Sequence, residues 1–226
     1  KKFRLFKMEN ILKKIINKKK EKIKIYKKKY SENQLFEDIK NINNFTDFKD
    51  KIKKRNSEQR ISIIAEIKKA SPSAGVIMED YDPVKIANIY KDNNATCLSV
   101  LTEEKFFLGD MFDISLIKGD KKLNLPILCK DFFVNIYQLY WARSNGADAI
   151  LIILAGVANE LANELYEEAL KLNMSVIVEI HTVQEAKKAL RFKEALIGIN
   201  NRNLKTLKTE INTTYDIYSV LEKHSG

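Results

Sequence analysis

The chain has 226 residues, of which 45% are hydrophobic, and its formal net charge is +10 at pH 7. This length fits one large globular domain with a substantial core and leaves little room for two enzyme domains. No apolar run approaches the roughly 20 residues that a membrane-spanning helix needs, so the sequence predicts no membrane partner.

The positive charge is concentrated in the first thirty residues, which hold 14 Lys and Arg but only two acidic residues, Glu9 and Glu21. The rest of the chain carries a net charge of −2. A basic segment of this kind is typical of a solvated helix face, and nucleic-acid binding is the alternative. We favour the solvated face and expect no nucleic-acid partner.

The same basic segment has a helical pattern of apolar residues. Apolar side chains recur at spacings near three, four and seven, at Leu12, Ile15, Ile16, Ile23, Tyr26 and Tyr30. This periodicity predicts an amphipathic helix, and shorter helical patterns follow at 35–42 and 45–52. We therefore predict that residues 1–55 form an N-terminal helical extension within a single domain that spans residues 1–226.

Beyond the extension, six short apolar runs alternate with helical patterns. The runs are rich in β-branched residues and nearly continuous in hydrophobicity, as expected of parallel strands that are covered on both faces. The runs occupy 61–67, 96–101, 126–129, 149–153, 175–180 and 196–200, and the helical patterns occupy 83–93, 135–145, 159–172 and 183–192. Such repeats are typical of a doubly wound sheet or of a TIM (β/α)8 barrel. The first run is not followed by G-x-G-x-x-G, which weakens the dinucleotide-binding option.

Two cysteines, Cys97 and Cys129, lie within these apolar runs. We expect them to be buried, reduced thiols, because free cysteine behaves as a small apolar side chain. Reduced thiols are typical of a cytoplasmic protein, and the basic first thirty residues do not form a secretory signal pattern.

Polar side chains end four of the six runs. They are Glu66, Lys68, Lys130, Glu179, Asn200 and Arg202. Because side chains alternate along a strand, Glu66 and Lys68 share one face, and so do Asn200 and Arg202. In a barrel these groups would meet at the carboxyl ends of the strands, where barrel enzymes keep their active sites. A charge beside buried apolar neighbours costs several kcal/mol unless it is paired or used, so the pattern predicts a charged cleft for an anionic ligand.

Six segments resemble, in order, the strand motifs of one enzyme family. They are Ile64–Ser73 (IAEIKKASPS), Ser99–Gly109 (SVLTEEKFFLG), Pro126–Phe132 (PILCKDF), Gly146–Leu151 (GADAIL), Val178–Thr182 (VEIHT) and Ile197–Leu204 (IGINNRNL). They resemble the indole-3-glycerol-phosphate synthase family of tryptophan biosynthesis, whose first-strand signature is E-x-K-x-x-S-P-S. The resemblance covers about residues 8 to 220 and implies a TIM barrel. It also implies ring closure, decarboxylation and dehydration of 1-(2-carboxyphenylamino)-1-deoxyribulose 5-phosphate to indole-3-glycerol phosphate, a carbon–carbon lyase (carboxy-lyase) reaction.

The resemblance implies a role for each matching residue. Lys130 is implied to be the general acid that protonates the ketone oxygen, and Glu179 the base in the later dehydration. Lys68 is implied to be a second catalytic lysine held by Glu66, and Asn200 a catalytic hydrogen-bonding residue. The implied substrate-binding residues are Ser71 and Arg202 for the anthranilate carboxylate, Phe107 and Phe132 for the aromatic walls of the pocket, and Leu204. Core packing remains the alternative for the two phenylalanines, and His181 is expected to be structural.

The resemblance implies neither a metal nor an organic cofactor, and no His, Cys and carboxylate residues have metal-ligand spacing in the sequence. The expected partner is a small anionic sugar-phosphate substrate. We expect a monomer, with fusion to or association with other tryptophan-pathway enzymes as the alternative.

Nothing after Asn200 has the pattern of the last two β/α units of that family's barrel. We expect these units to be missing from the printed sequence, which also begins with Lys rather than Met. Two other interpretations stay open. One is a barrel like phosphoribosylanthranilate isomerase, which would need a cysteine and an aspartate as its acid–base pair. The other is an inactive, truncated barrel that acts as a binding protein.

Overall fold

The computed structural model describes residues 2–42, 45–202, 208–222 and 224, with side chains from residue 12 onward. Three helices precede the first strand of the main sheet: α1 (Lys2–Lys29), α2 (Glu32–Asn41) and α3 (Phe48–Ser57). Ser31 and Asp47 cap the second and third helices, because each side chain accepts a hydrogen bond from a backbone N–H in the first turn. The apolar pattern predicted all three helices, but α1 begins earlier and α3 begins and ends later than predicted.

Six parallel strands form one sheet and follow each other in chain order. They are β1 (Ile64–Ile67), β2 (Cys97–Leu101), β3 (Ile127–Lys130), β4 (Ala149–Ile153), β5 (Ser175–Ile180) and β6 (Leu196–Ile199). All six predicted runs are confirmed as strands. A doubly wound sheet reverses its strand order at a switch point, so the sequential order excludes that alternative. The sheet curls as part of a TIM-barrel-like fold.

Helices follow the strands and cover the outer face of the sheet. They are α4 (Pro83–Asp92), α5 (Phe112–Gly119), α6 (Tyr137–Ser144), α7 (Asn159–Lys171), α8 (Val183–Ala189) and α9 (Asn212–Leu221). The sequence analysis did not predict α5 or α9. It also did not predict a small antiparallel hairpin after β1, which pairs Ala70–Ser71 with Gly75–Val76.

Alternation along the strands gives the sheet two different faces. The outer face packs on the helices and carries the larger apolar core, to which Cys129 belongs. The inner face carries a smaller apolar cluster: Phe48, Cys97, Leu128, Ala149, Leu151 and Ile177. Phe48 comes from α3 and is fully buried, so α3 covers part of the inner face. Both cysteines are buried free thiols, as predicted.

The three leading helices connect the two ends of the sheet. α1 contacts residues that follow β2, β3 and β4, at the carboxyl ends of the strands. α2 packs against α6. α3 lies at the amino ends, where the Lys49 N–H donates to Ser175 Oγ at the start of β5 (3.1 Å). Among the helices in the described ranges, none is both long and apolar enough to cross a membrane.

Candidate active site

A carboxylate between two lysines lies at the carboxyl ends of the strands. Glu66 is in β1, Lys68 follows it by two residues, and Lys130 is the last residue of β3. The two ammonium groups bind different oxygens of the carboxylate, since Lys68 Nζ contacts Oε1 and Lys130 Nζ contacts Oε2. The three side chains are between 29% and 34% exposed, so the cluster is accessible to a ligand.

The two lysines keep Glu66 ionised. Burial opposes ionisation of the carboxyl, but the neighbouring Lys130 and Lys68 outweigh it and lower the pKa of Glu66. The sequence predicted that Glu66 holds Lys68. It did not predict that Lys130 binds the same carboxylate, because that contact joins β1 to a strand two positions away in the sheet.

A second carboxylate lies near the carboxyl end of β5. The Asn200 Nδ2 donates to Glu179 Oε1 at 3.2 Å, and His181 Nε2 lies 3.3 Å from the same oxygen. Burial raises the pKa of Glu179, but His181, Asn200 and the charge of Lys130 outweigh it, so the pKa is lowered. Glu179 is therefore an ionised carboxylate held by hydrogen bonding, which suits a general base.

Two of the predicted substrate-binding residues lie in segments that follow strands at this edge. In the hairpin after β1, Ser71 Oγ accepts a hydrogen bond from the Ala74 N–H at 3.2 Å. The Arg202 residue is exposed, and its backbone N–H donates to Asn200 Oδ1 at 3.0 Å. The contacts of Ser71 and Arg202 with a carboxylate stay predictions. Leu204 lies outside the described residues.

Phe107 and Phe132 lie near each other, with ring centroids 6.3 Å apart and the rings tilted by 38°. The loop that carries Phe107 is fixed by the buried Glu103, whose Oε2 accepts hydrogen bonds from the Phe106 and Phe107 N–H groups. Both rings are partly exposed, which favours the predicted pocket wall over plain core packing.

The basic helix α1 is tied to the loops around this edge by ionic contacts. Lys19 Nζ lies 2.9 Å from Asp131 Oδ2, and the two side chains are 8% and 2% exposed. Thr102 Oγ1 also donates to Asp131 Oδ2 at 2.9 Å. Burial lowers the pKa of Lys19, but the attraction of Asp131, assisted by Glu103 and Glu104, outweighs it, so the pKa is raised. Farther along the helix, Tyr26 Oη and Lys22 Nζ bind Glu104.

Comparison with known proteins decides the family. The family model described as Indole-3-glycerol phosphate synthase matches residues 12–225. The chain belongs to this family. The indole-3-glycerol phosphate synthases of Prochlorococcus marinus (strain MIT 9515) and Zymomonas mobilis subsp. pomaceae are 43% and 40% identical to it over 224 and 210 residues. These matches span 97% and 93% of the chain, and 75% and 79% of the two relatives.

A solved structure has a similar fold. It is the 3-keto-L-gulonate-6-phosphate decarboxylase from Vibrio cholerae O1 biovar El Tor str. N16961, with a TM-score of 0.53 and 17% identity. The likeness covers 72% of this chain and 74% of the other, and at this identity it shows the fold alone. The barrel prediction is thus confirmed at the level of a TIM-barrel-like fold, while the closed eight-stranded barrel stays a prediction.

Near the candidate site, two ionic contacts of this synthase-family chain were not predicted from the sequence. One is the contact of His181, predicted to be structural, with Glu179. The other is the Lys19–Asp131 pair. The signal for Lys19 was its place in the apolar stripe of α1, four residues from Ile15 and four from Ile23. Within the ranges that the structure describes, no three or more His, Cys, Asp or Glu residues are grouped so that they could hold a metal ion.

Proposed function

We propose that this family member converts 1-(2-carboxyphenylamino)-1-deoxyribulose 5-phosphate to indole-3-glycerol phosphate, as a carboxy-lyase of tryptophan biosynthesis. The observation that carries the proposal is the Glu66 carboxylate bound by Lys68 and Lys130, together with the ionised Glu179, at the carboxyl ends of the strands. This edge combines proton donors with ionised carboxylates at an accessible surface. An acid–base reaction on an anionic substrate requires that combination.

Lys130 is the general acid of the first half of the proposed reaction. The anthranilate ring carbon that bears the carboxylate attacks the ketone carbon, and the Lys130 ammonium gives a proton to the ketone oxygen, which becomes a hydroxyl. Carbon dioxide then leaves, and the electron pair of the broken bond returns to the ring system. Because Glu66 accepts hydrogen bonds from Lys130 and Lys68, it holds both ammonium groups in place.

Glu179 is the base of the second half. The new hydroxyl takes a second proton, for which Lys68 is the proposed donor, and leaves as water. Glu179 removes the remaining proton as the indole ring becomes aromatic, and Asn200 orients its carboxylate. The products are indole-3-glycerol phosphate, carbon dioxide and water. Two protons are given and one is removed, so the products balance the carboxylate form of the substrate plus one proton taken up from solvent.

We assign substrate binding to the residues around this cluster. Arg202 and Ser71 receive the anthranilate carboxylate, because the planar donor fork of arginine matches a carboxylate in two hydrogen bonds. Phe107 and Phe132 exclude water from the aromatic ring, and Leu204 adds a further contact.

We propose that the chain acts as a monomer in the cytoplasm. Association with other enzymes of the pathway is the alternative.

The proposed architecture is a single TIM-barrel domain over residues 1–226, of which residues 1–55 form a helical extension. The support for one domain is the network that ties the extension to both ends of the sheet. Lys19 binds Asp131 after β3, and the Lys49 N–H binds Ser175 at the start of β5.

The test of this function is an indole fluorescence assay. The purified chain is incubated with 1-(2-carboxyphenylamino)-1-deoxyribulose 5-phosphate in a buffer that contains EDTA, so that divalent cations are removed. We expect indole fluorescence to grow in proportion to the chain's concentration, and the Lys130→Met variant, prepared in the same way, to be strongly impaired. If a folded wild-type chain produces no fluorescence at high concentration, the proposed function is wrong.

The thiols argue against the isomerase alternative, which would need a cysteine in its acid–base pair. Burial raises the pKa of Cys97 to about 12 and also raises that of Cys129, so neither thiol ionises near neutral pH. The same assay identifies the binding-protein alternative, since an inactive barrel would bind a substrate analogue without turnover.

A further inference from the structure

A histidine lies between two carboxylates at the carboxyl end of β5. His181 follows Glu179 by two residues, so the two side chains point to the same face of the strand. The Nε2 atom of His181 lies 3.3 Å from Glu179 Oε1, and Nδ1 lies 3.4 Å from Glu185 Oε2. Because the histidine side chain is only 5% exposed, these two carboxylates rather than water are its polar environment.

The start of α8 holds Glu185 in place. Thr182 is the N-cap of this helix, and its Oγ1 accepts a hydrogen bond from the Glu185 N–H at 3.2 Å. In return, Glu185 Oε2 accepts a hydrogen bond from the His181 N–H at 2.7 Å. This reciprocal arrangement is similar to a capping box, and it fixes the carboxylate that faces the Nδ1 atom of His181.

The two carboxylates favour the protonated ring. Burial opposes protonation, but Glu179 and Glu185 outweigh it and raise the pKa of His181 to about 9. At neutral pH the imidazolium therefore places a positive charge between the two carboxylates, with Nδ1 hydrogen-bonded to Glu185 and Nε2 in ionic contact with Glu179. Among the described residues, Lys130 also acts on Glu179, and Lys188 acts on Glu185, each lowering the pKa of the carboxyl.

We infer that His181 is a positioning residue that, held between Glu179 and Glu185, fixes which oxygen of Glu179 faces the substrate. The inference rests on the proposed role of Glu179 as the base. Oε1 of Glu179 accepts a hydrogen bond from Asn200 and lies in ionic contact with His181 Nε2 at 3.3 Å, although this buried nitrogen has no hydrogen-bond partner among the described residues. The described residues give Oε2 no hydrogen bond. Oε2 is then the proton acceptor. His181 itself does not touch the reacting atoms and acts through Glu179.

The test compares kcat, KM and the pH profile of kcat/KM for wild type, His181→Asn and Glu185→Gln. His181→Asn keeps a hydrogen-bond donor but removes the cation, so kcat should fall roughly 10- to 100-fold while KM changes by less than about threefold. Without the cation the pKa of Glu179 rises, so the acidic limb of the profile should move to higher pH. Glu185→Gln weakens the cation and should move that limb in the same direction by a smaller amount.

His224→Asn is the matched control, because it makes the same substitution in the C-terminal part of the chain, and its profile should superimpose on that of wild type. An unchanged kcat and acidic limb in a folded His181→Asn chain would overturn the inference. The inference would also be overturned if kcat fell and KM rose to a similar extent while the acidic limb of the pH profile stayed in place. If His181→Asn does not fold, an unmoved limb in Glu185→Gln is decisive against it. Inactivity of the wild type and all variants alike would instead be a failure of the proposed function, and the inference would end with it.

Discussion

At the level of single residues, Glu66 serves two lysines at once. Lys68 and Lys130 bind opposite oxygens of the carboxylate, so each lysine stays paired when the other is removed. The two lysines nevertheless have different roles in the proposed reaction, because Lys130 protonates the ketone oxygen in the first step and Lys68 protonates the hydroxyl in a later one. Substitution of one lysine at a time therefore separates the roles without leaving Glu66 unpaired.

Replacing Lys130 with methionine should affect turnover much more than binding. Methionine keeps the volume of the side-chain stem and removes the proton donor, while Lys68 still pairs with Glu66. General acid catalysis contributes roughly 10² to 10⁴-fold, so we expect kcat to fall within that range. The Kd of a substrate analogue should stay close to that of wild type, because a transition-state interaction has been lost. Steady-state kinetics and calorimetric titration measure the two quantities.

The exposed Lys20 supplies the control for this substitution, and Lys20→Met should behave as wild type. If Lys130→Met keeps most of its turnover, Lys130 is not the acid and Lys68 is the next candidate. A joint loss of binding and turnover would identify Lys130 as an anchor for the anionic substrate.

Strand alternation predicted which site residues share a face, but not which of them meet across the sheet. Glu66 lies in β1 and Lys68 directly follows that strand, two residues on, so their shared face follows from the sequence. The contact between Glu66 and Lys130 depends on the order and curl of the strands, which the local pattern does not contain. The same holds for Lys19 and Asp131, which are 112 residues apart.

At the level of elements, the position of α1 depends on a buried ion pair. Lys19 lies in the buried stripe of the helix and binds Asp131, the residue that follows Lys130. We expect Lys19→Met to raise KM about tenfold and to change kcat less, because Asp131 loses its cation and the helix loses a fixed contact beside the site. Breaking a buried pair by removing one partner costs about 3–5 kcal/mol, so the free energy of unfolding should also fall.

Deletion of residues 1–30 should raise KM at least as much as Lys19→Met while leaving a folded sheet, which circular dichroism can verify. Lys20→Met again serves as the control, since its side chain is exposed on the neighbouring position of the same helix. If neither the deletion nor Lys19→Met changes KM, α1 does not take part in substrate binding.

Gly109 lies where the loop after β2 passes close to the strand backbone. A Cβ at Gly109 would lie 2.1 Å from the Leu101 carbonyl oxygen, whereas among the described residues no heavy atom lies within 4 Å of a Cβ at Gly119. Gly109→Ala must therefore displace the loop that carries Phe107, and we expect the free energy of unfolding to fall by about 2 kcal/mol or more. Gly119→Ala, in the last turn of α5, should leave it unchanged or raise it by up to ~1 kcal/mol. Denaturant titrations compare the two variants, and equal stabilities would contradict the close approach.

The strands could be predicted from the sequence more completely than the helices. Each strand is a short apolar run bounded by polar residues, and both sides of the sheet bury such runs. The sequence analysis missed the helices α5 and α9, and the lack of a side-chain N-cap does not explain this, because α6 and α7 also lack one and were predicted. The hairpin after β1 was missed because its strands are only two residues long.

At the level of the whole molecule, the basic segment lies at the same end as the candidate site. α1 carries the charge of the first thirty residues and contacts residues that follow β2, β3 and β4. A concentration of positive charge attracts anions over a distance of about a Debye length, roughly 8–10 Å at physiological ionic strength. The basic helix therefore favours the approach of a sugar phosphate, which gives the charge a role that needs no nucleic acid.

The pH dependence of folding tests the contacts of His181 without any substrate. The pKa of His181 is raised from 6.5 to about 9 in the folded chain, so the folded state holds the proton more tightly than the unfolded state. The resulting stabilisation is fully present below pH 6.5, declines as the pH rises, and is lost above about pH 9. We expect wild type to exceed His181→Asn in free energy of unfolding by about 1–3 kcal/mol more at pH 6 than at pH 9.5. Wild type and His181→Asn contain the same two buried cysteines. Any effect of cysteine ionisation near pH 9.5 is therefore the same in both chains and cancels when their free energies of unfolding are subtracted. Denaturant titrations at the two pH values measure this quantity, and a difference that does not change with pH would mean that folding does not raise the pKa of His181.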